Sequence, residues 1–378
     1  MTFSIHTGKR CISQLLCLCV LIVMGQGTTA ETLTDLYETR SLVPAQTASV
    51  RAQAAKESLL SVLVKVSGRQ SLDQNLFVQQ ALKSAQDYVL QFSYESTDER
   101  IESDDGGSLP ATTLLLKFSS QSIETLLREA GLPLWPANRP AVLVWLVADD
   151  ARQGRYTVSE PQVYEQLSLT ADERGLPLIR PLFDLQDQIA LDPEALWNLD
   201  EDTIRAASER YAADAVFVGR YTEFSNGRWR GDWRLSHKSG TTLFQIDAAS
   251  LEELLSDGIH QATGRFAELF GIVPSRTGTV PVYAEVSGVE LFANYKQVLD
   301  YLDGLDMVRR AELLQIEKDK LTFSLGIEGG LPLLQDTIAL DKVLLGGADN
   351  TQHRLPGNRY IPLGFKENPL QYRWSARR

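Results

Sequence analysis

Apolar residues recur along this chain with two periods, and each change of period marks a new element. Ala52, Ala55, Leu59, Leu63 and Val66 form a stripe at helical spacing, and Gly68 stands where a left-handed residue ends a helix. Before them, residues 33–39 alternate apolar and polar side chains as a strand does, until Pro44 breaks the run. A second helix is predicted over residues 75–87 with Phe77, Ala81 and Ala85 on its inner side. Residues 88–94 and 112–118 read as strands, joined through a polar loop at 103–108. Ile123, Leu126, Leu127 and Ala130 give a third helix, which Gly131 and Pro133 stop.

The stretch 131–147, GLPLWPANRPAVLVWLV, turns this pattern over. Pro136 and Pro140 bias Trp135 and Arg139 toward extended backbone. Residues 141–147 then run apolar without alternation, which predicts a strand buried on both faces. Trp135, held between Pro133 and Pro136, is expected to be buried as the plug of a joint between two units. Beyond the strand come a helix with Tyr164, Leu167 and Ala171 inside, a strand at 178–183, and an Asp200-capped helix with Ile204, Ala207 and Tyr211. An apolar strand at 215–219 and a hairpin at 229–235 and 242–246 follow. Ser250 and Glu253 make a capping box for a helix that ends at Gly271. Helices between strands imply a partly parallel sheet.

After residues 274–281, rich in Pro, Thr, Ser and Gly, the pattern restarts. A strand at 282–286, a helix with Phe292, Tyr295, Leu299 and Leu302, strands at 311–316 and 321–325, and a helix with Leu334 and Ile338 give βαββα. A late strand at 370–374 would complete a ferredoxin-like split motif. The expected fold class is therefore α+β, in three small mixed α/β modules. They span residues 31–139, 140–273 and 282–378, with 274–281 as linker and a loose tail from His353.

Length agrees with several cores, since 378 residues exceed what one ordinary core holds. The formal charge of -12 disfavours nucleic acid and broad adhesion to anionic lipid. Lys9 and Arg10, an apolar run at 15–24 and the small residues Thr28-Thr29-Ala30 have the form of a cleavable signal peptide over residues 1–30, with an uncleaved anchor as the alternative. No later segment approaches transmembrane length. The three cysteines, Cys11, Cys17 and Cys19, all lie inside that segment. The mature chain is expected in the periplasm with no disulfide, no thiolate metal site and no cysteine nucleophile.

Four segments carry a family resemblance: VLVKVSGR from Val62, REAGLPLWPANRPAVLVWLV from Arg128, RGLPLIRPLFDLQD from Arg174 and ADAVFVGRY from Ala213. They resemble the exported proteobacterial family catalogued as domain of unknown function 2066. That resemblance implies export and brings no activity or catalytic residue to transfer. At the level of fold, the second unit also resembles the α/β modules of exported envelope proteins.

Candidate chemistry is sparse. His237, His260 and His353 lie in different elements, with no i, i+4 pair for zinc. No G-x-S-x-G elbow, phosphate loop or dinucleotide fingerprint occurs, and no cofactor is expected. Asp149 and Asp150 follow one predicted strand and Asp184 and Asp187 another, at the end of an α/β sheet where ligands bind. They are candidates for an acidic cleft serving acid–base chemistry or Mg²⁺ or Ca²⁺; solvated loops are the alternative. Tyr221, Phe224, Trp229 and Trp233 gather around a hairpin tipped by Asn226-Gly227. Trp229 and Trp233 share a strand face, either packed on the following helix or exposed to a partner or glycan. The joint residues are Trp135, Pro136 and Pro140. The functional expectation is a non-catalytic exported protein with a protein partner in the envelope, as scaffold or assembly factor. A carboxylate hydrolase of envelope polymers and a small-ligand binder at the end of the central sheet are the alternatives.

Overall fold

The computed structural model describes residues 35–102, 106–274, 278–347 and 361–375. The expected signal segment, residues 103–105 of the 103–108 loop, residues 275–277 of the linker and the start of the tail at His353 lie outside the described residues.

Strands β1 (Glu38–Val43), β2 (Val89–Glu102) and β3 (Ser108–Phe118) form an antiparallel sheet in the order β1-β3-β2. Helices α1 (Ala48–Ser67), α2 (Leu76–Lys83) and α3 (Ser120–Glu129) pack with it. β1 starts later than the alternation predicts, because residues 35–37 form a turn that buries Leu36. α1 buries Ala55, Leu59, Val62, Leu63 and Val66 and ends on Gly68 at φ 67°. The Asn75 side chain caps α2 by accepting from the amides of Phe77 and Val78. That start turns Val78 and Ala81 inward and leaves Phe77 exposed, contrary to the expected face.

The second sheet has the order β5-β4-β7-β8-β9, with a short β6 also paired to β4. It is built from β4 (Val142–Asp150), β5 (Gly154–Thr157), α4 (Pro161–Arg174), β6 (Leu178–Ile179), α5 (Leu185–Ala190), α6 (Pro193–Trp197), α7 (Glu201–Ser208), β7 (Ala215–Glu223), β8 (Trp229–His237), β9 (Gly240–Ala248) and α8 (Leu251–Phe270). β4 runs parallel to β6 and β7, and the remaining pairs are antiparallel. Its unbroken apolar run serves two cores. Val142, Val144 and Leu146 join the one that includes α4 and α8, and Leu143, Trp145 and Val147 the one that includes α6 and α7. The strand expected over 178–183 ends at Ile179; Phe183 has φ 54° and Asp184 caps α5.

The third sheet contains β10 (Val280–Ser287), α9 (Phe292–Asp303), β11 (Val308–Glu317), β12 (Lys320–Ile327), α10 (Leu331–Asp341), β13 (Leu344–Gly346) and β14 (Leu370–Trp374), ordered β11-β12-β10-β14-β13. β12 lies between β10 and β11 and antiparallel to both, which is the split arrangement expected. β14 takes its predicted place beside β10 but runs parallel to it. β13 has the direction of a ferredoxin fourth strand and is displaced outward by β14. Phe292 is exposed; Val298 and Leu302 form the buried face of α9.

The molecule is thus a mixed α+β chain with three sheets that share no strand. One hydrophobic cluster nevertheless runs through all three, from Leu36 to Tyr372. Among the described residues no helix is long and apolar enough to cross a membrane.

Candidate functional site

The joint at residues 131–141 is tied to both flanking units by backbone and side-chain hydrogen bonds. Leu134 pairs with Ile272 in an isolated bridge, and the Trp135 amide donates to Val66 O at 2.7 Å. Trp135 is fully buried, as expected, and Pro136 and Pro140 are buried with it. What the proline spacing did not disclose is Arg139, which is also fully buried. Its Nε donates to Pro136 O at 2.9 Å, Nη1 to Gly175 O at 2.7 Å and Arg174 O at 3.3 Å, and Nη2 to Lys65 O and Trp135 O at 2.9 Å each. All five guanidinium N–H groups are therefore satisfied by carbonyls. Lys65 O belongs to the last turn of α1, and Arg174 O and Gly175 O to the end of α4. The negative ends of two helices converge on one cation. The guanidinium also lies 3.8 Å above the Trp135 ring. Burial draws the Arg139 pKa down to about 9, with nearby Tyr37 opposing the shift and Arg174 reinforcing it. The available signal was an arginine in a stretch, 131–147, without one acidic residue.

The four candidate carboxylates do not form a shared cleft. Asp149 accepts from Arg155 Nε at 3.5 Å, and Arg155 reaches Glu194 at 2.6 Å. Asp150 closes the β4–β5 turn by accepting from the amides of Arg152 and Gln153, which hold its pKa low. Asp184 receives both Nη groups of Arg210 at 2.8 Å and the amide of Asp187, and its carboxyl is held down at about 2. Asp187 is buried and accepts from Phe183 N at 2.8 Å, Tyr211 Oη at 2.5 Å and Arg210 Nη1 at 3.0 Å. These are local turn, cap and ion-pair roles, and they replace the acidic-cleft expectation. Among the described residues no group of three or more His, Cys, Asp or Glu is placed to hold a metal ion.

Of the aromatic candidates, Tyr221, Trp229 and Trp233 pack inward, and Phe224 is exposed with Arg230 5.4 Å over its ring. Trp233 is buried, stacks on Phe217 at 4.8 Å and lies under α8, where a Cβ at Gly258 would come within 2.7 Å of its ring. It therefore cannot serve an exposed contact patch. Trp229, half-buried on the same face, tilts against Tyr221 at 5.8 Å. His237 meets the rings of Phe266 and Phe270 edge-on, and His260 lies on α8.

A cavity of about 460 Å³ lies between α7 and the start of β7, floored by Val216 and Val218 and edged by Ile204, Ser208 and Arg234. It is at the opposite end of the parallel strands from Asp149, so the rule that points to the carboxyl ends misses it. Arg234 pairs with Glu201 beside it and donates to Leu199 O at 2.8 Å.

Residues 30–136 match the model of a Domain of unknown function (DUF8605). That finding corrects the resemblance to family 2066: the matching family is a different one, and its match stops within the joint. The segments from Arg174 and Ala213 lie beyond it. No curated protein matches the chain. A competence-damaged protein (CinA) superfamily protein from Enterobacter cloacae aligns at 10% identity over 39% of this chain and 88% of its own, with a TM-score of 0.19. Prolyl-tRNA synthetase from Cryptosporidium parvum aligns at 11% identity over 60% of this chain and 50% of its own, with a TM-score of 0.17. Similarities this low carry no functional argument.

Proposed function

We propose that the protein is an exported, periplasmic envelope component that acts by binding a protein partner, as a rigid scaffold whose modules 31–139, 140–273 and 282–378 work as one body. The observation that supports this reading is the Arg139 cage. Burying a guanidinium costs several kcal/mol before its hydrogen bonds are counted, and apolar side chains would hold two modules together as well. Five directional bonds to α1, α4 and the joint fix an orientation as well as a contact. A fixed orientation is useful to a protein that presents surfaces to others. Photo-crosslinkers placed across the exposed faces of the three sheets, in cells making the full chain, test the proposal. The expected result is one discrete crosslinked protein, from one face, in the periplasmic fraction. A cytosolic chain, or crosslinks spread evenly over every face, would overturn it.

The cavity between α7 and β7 favours a second reading, a small-ligand binder, since its volume is in the range of ligand sites. A rise in melting temperature with a pool of envelope metabolites, cancelled by Val216→Trp, would carry that reading instead.

A further inference from the structure

The third sheet leaves a long edge open. On one side it ends in β13, which has three residues; on the other it ends in β11, which has ten. Among the described residues β11 pairs with β12 alone. Seven of its ten residues are exposed, among them Leu314 at 47% and Ile316 at 62%. An edge strand presents backbone N–H and C=O groups to which a further strand can bond, and native edges are commonly blunted by short length, lysine, proline or bulges. β11 is long, has neither lysine nor proline, and carries extra residues at Arg309 and Leu314. One amide on it, that of Ala311, donates to the Asp303 side chain at 3.4 Å.

The bulge at Leu314 changes which residues share a face. Ala311, Leu313 and Ile316 stand opposite the buried Leu325, Phe323 and Leu321 of β12, so they belong to the helix-covered face. Arg310, Glu312, Gln315 and Glu317 stand opposite the alternate positions of β12, on the open face. In a regular strand, residues an odd number of positions apart lie on opposite faces. With Leu314 inserted, Arg310 and Glu317 lie on the same one. The strand, reversed and laid beside itself, therefore matches in face and in charge. Arg310 meets Glu317 of the second copy and Glu312 meets Gln315 on the open face. Ala311 meets Ile316 on the helix face, and Leu313 meets Leu314 at the centre. A slip of one residue in either direction would set open-face positions against helix-face positions.

We propose that β11 is a self-association edge: two copies of this chain pair through it, antiparallel, about a two-fold axis between Leu313 and Leu314. Their third sheets then become one. An isologous contact repeats every interaction, so the pairing supplies two Arg310–Glu317 pairs and covers Leu314 and Ile316 of both copies. Arg310 already pairs with Glu312 within its own chain, and both stay at the surface. The strand is basic at its start and acidic at its end, which favours a second copy over an unrelated strand, because the reversed copy answers both ends. The edge goes beyond the scaffold reading, which concerns a different protein as partner, and does not depend on it.

Sedimentation equilibrium of the full chain over a concentration series tests the pairing, with Arg310→Glu and Glu317→Arg measured singly and mixed. The wild type is expected to dimerise. Each single variant sets like charges opposite each other twice and should weaken dimerisation by about tenfold or more. An equimolar mixture of the two should recover the wild-type association, since opposite charges then meet at both ends. Both positions are exposed, and circular dichroism melts check that each variant folds. Amide exchange over residues 310–317 should slow as the wild-type concentration rises, and should stay fast in Arg310→Glu. A wild type that is monomeric at every concentration overturns the proposal. So does a dimer that neither substitution weakens, or a mixture of the two variants that stays monomeric.

Discussion

Arg139 shows how a single side chain can decide whether two sheets behave as one. Removing it leaves five carbonyls pointing at a void, so Arg139→Met is expected to cost about 3 kcal/mol or more in denaturant unfolding. Arg139→Lys should recover little of that, since an ammonium has three donors and no planar fork. Trp135→Ala removes the ring beneath the guanidinium and should cost about 3–5 kcal/mol, with new protease cleavage after Arg139. The carboxylates divide differently. Asp149→Asn should stay within about 0.5 kcal/mol, whereas Asp187→Ala, which takes the acceptor from a partly buried hydroxyl and a backbone amide, should cost about 2 kcal/mol. For Asp184 the sign follows from its depressed pKa. The folded carboxyl sits at about 2, below its ordinary value of 3.8, so its stabilisation is present above the ordinary value and is lost as pH falls toward 2. Wild type and Asp184→Asn should therefore differ at neutral pH and converge in urea melts near pH 2. Sequence placed Asp184 and Asp187 after a strand, but their partner Arg210 comes from beyond α7, a pairing that only the folded chain reveals.

At the scale of elements, what was legible followed the length of the periodic run. α1, α4 and α8 repeat their apolar pattern over two turns or more, β4 is one unbroken apolar run, and all four stand where the sequence predicts. α5 and α6 are too short for a period; their only signals are the caps Asp184 and Asp192, the latter followed by Pro193. Strand direction was not legible: β14 is apolar enough to be found, but nothing local says that it runs parallel to β10. The packing of α8 on the second sheet gives a paired expectation. At Gly258 and Gly219 an added Cβ would lie 2.7 Å and 2.4 Å from the Trp233 ring, so alanine at either should destabilise by about 1–3 kcal/mol and shift tryptophan emission. At Gly264, on the same helix, the space is open, and alanine should stabilise by about 1 kcal/mol. If Gly258→Ala also stabilises, helix propensity and not the fit of Trp233 governs this layer.

At the scale of the whole molecule, the partition into three modules was read from changes of period and composition, and those local signals carry no information about what the modules share. In the fold they share one core and a set of polar ties. Arg128 on α3 donates to Glu328 at 2.9 Å, Arg309 donates to it at 2.7 Å, Asn138 of the joint donates to Asp341 at 2.7 Å, and Lys238 lies 3.3 Å from Asp336 on α10. Glu328 is the central tie, because it is buried while both of its arginines are partly exposed. Burial disfavours its charge, but the bonds from Arg309 and Arg128 outweigh that and hold its pKa below the ordinary 4.5. Its contribution is thus present above the ordinary glutamate range and is lost as pH falls through the depressed value. Both arginines can return to water when the carboxylate is removed, so Glu328→Gln should cost about 1–2 kcal/mol and should leave the Arg139 cage intact. The wild type is expected to melt as one transition at neutral pH, with slow amide exchange in β4, β7, β10 and β12 alike. In Glu328→Gln, or in wild type once the pH falls below the ordinary glutamate value of 4.5, exchange in β10 and β12 should quicken while β4 and β7 keep their protection. Protease should then cut first near Arg276, in the 274–281 linker, before Arg139. Equal loosening of all four strands would mean that the shared apolar core, and not the Glu328 tie, couples the third sheet to the rest.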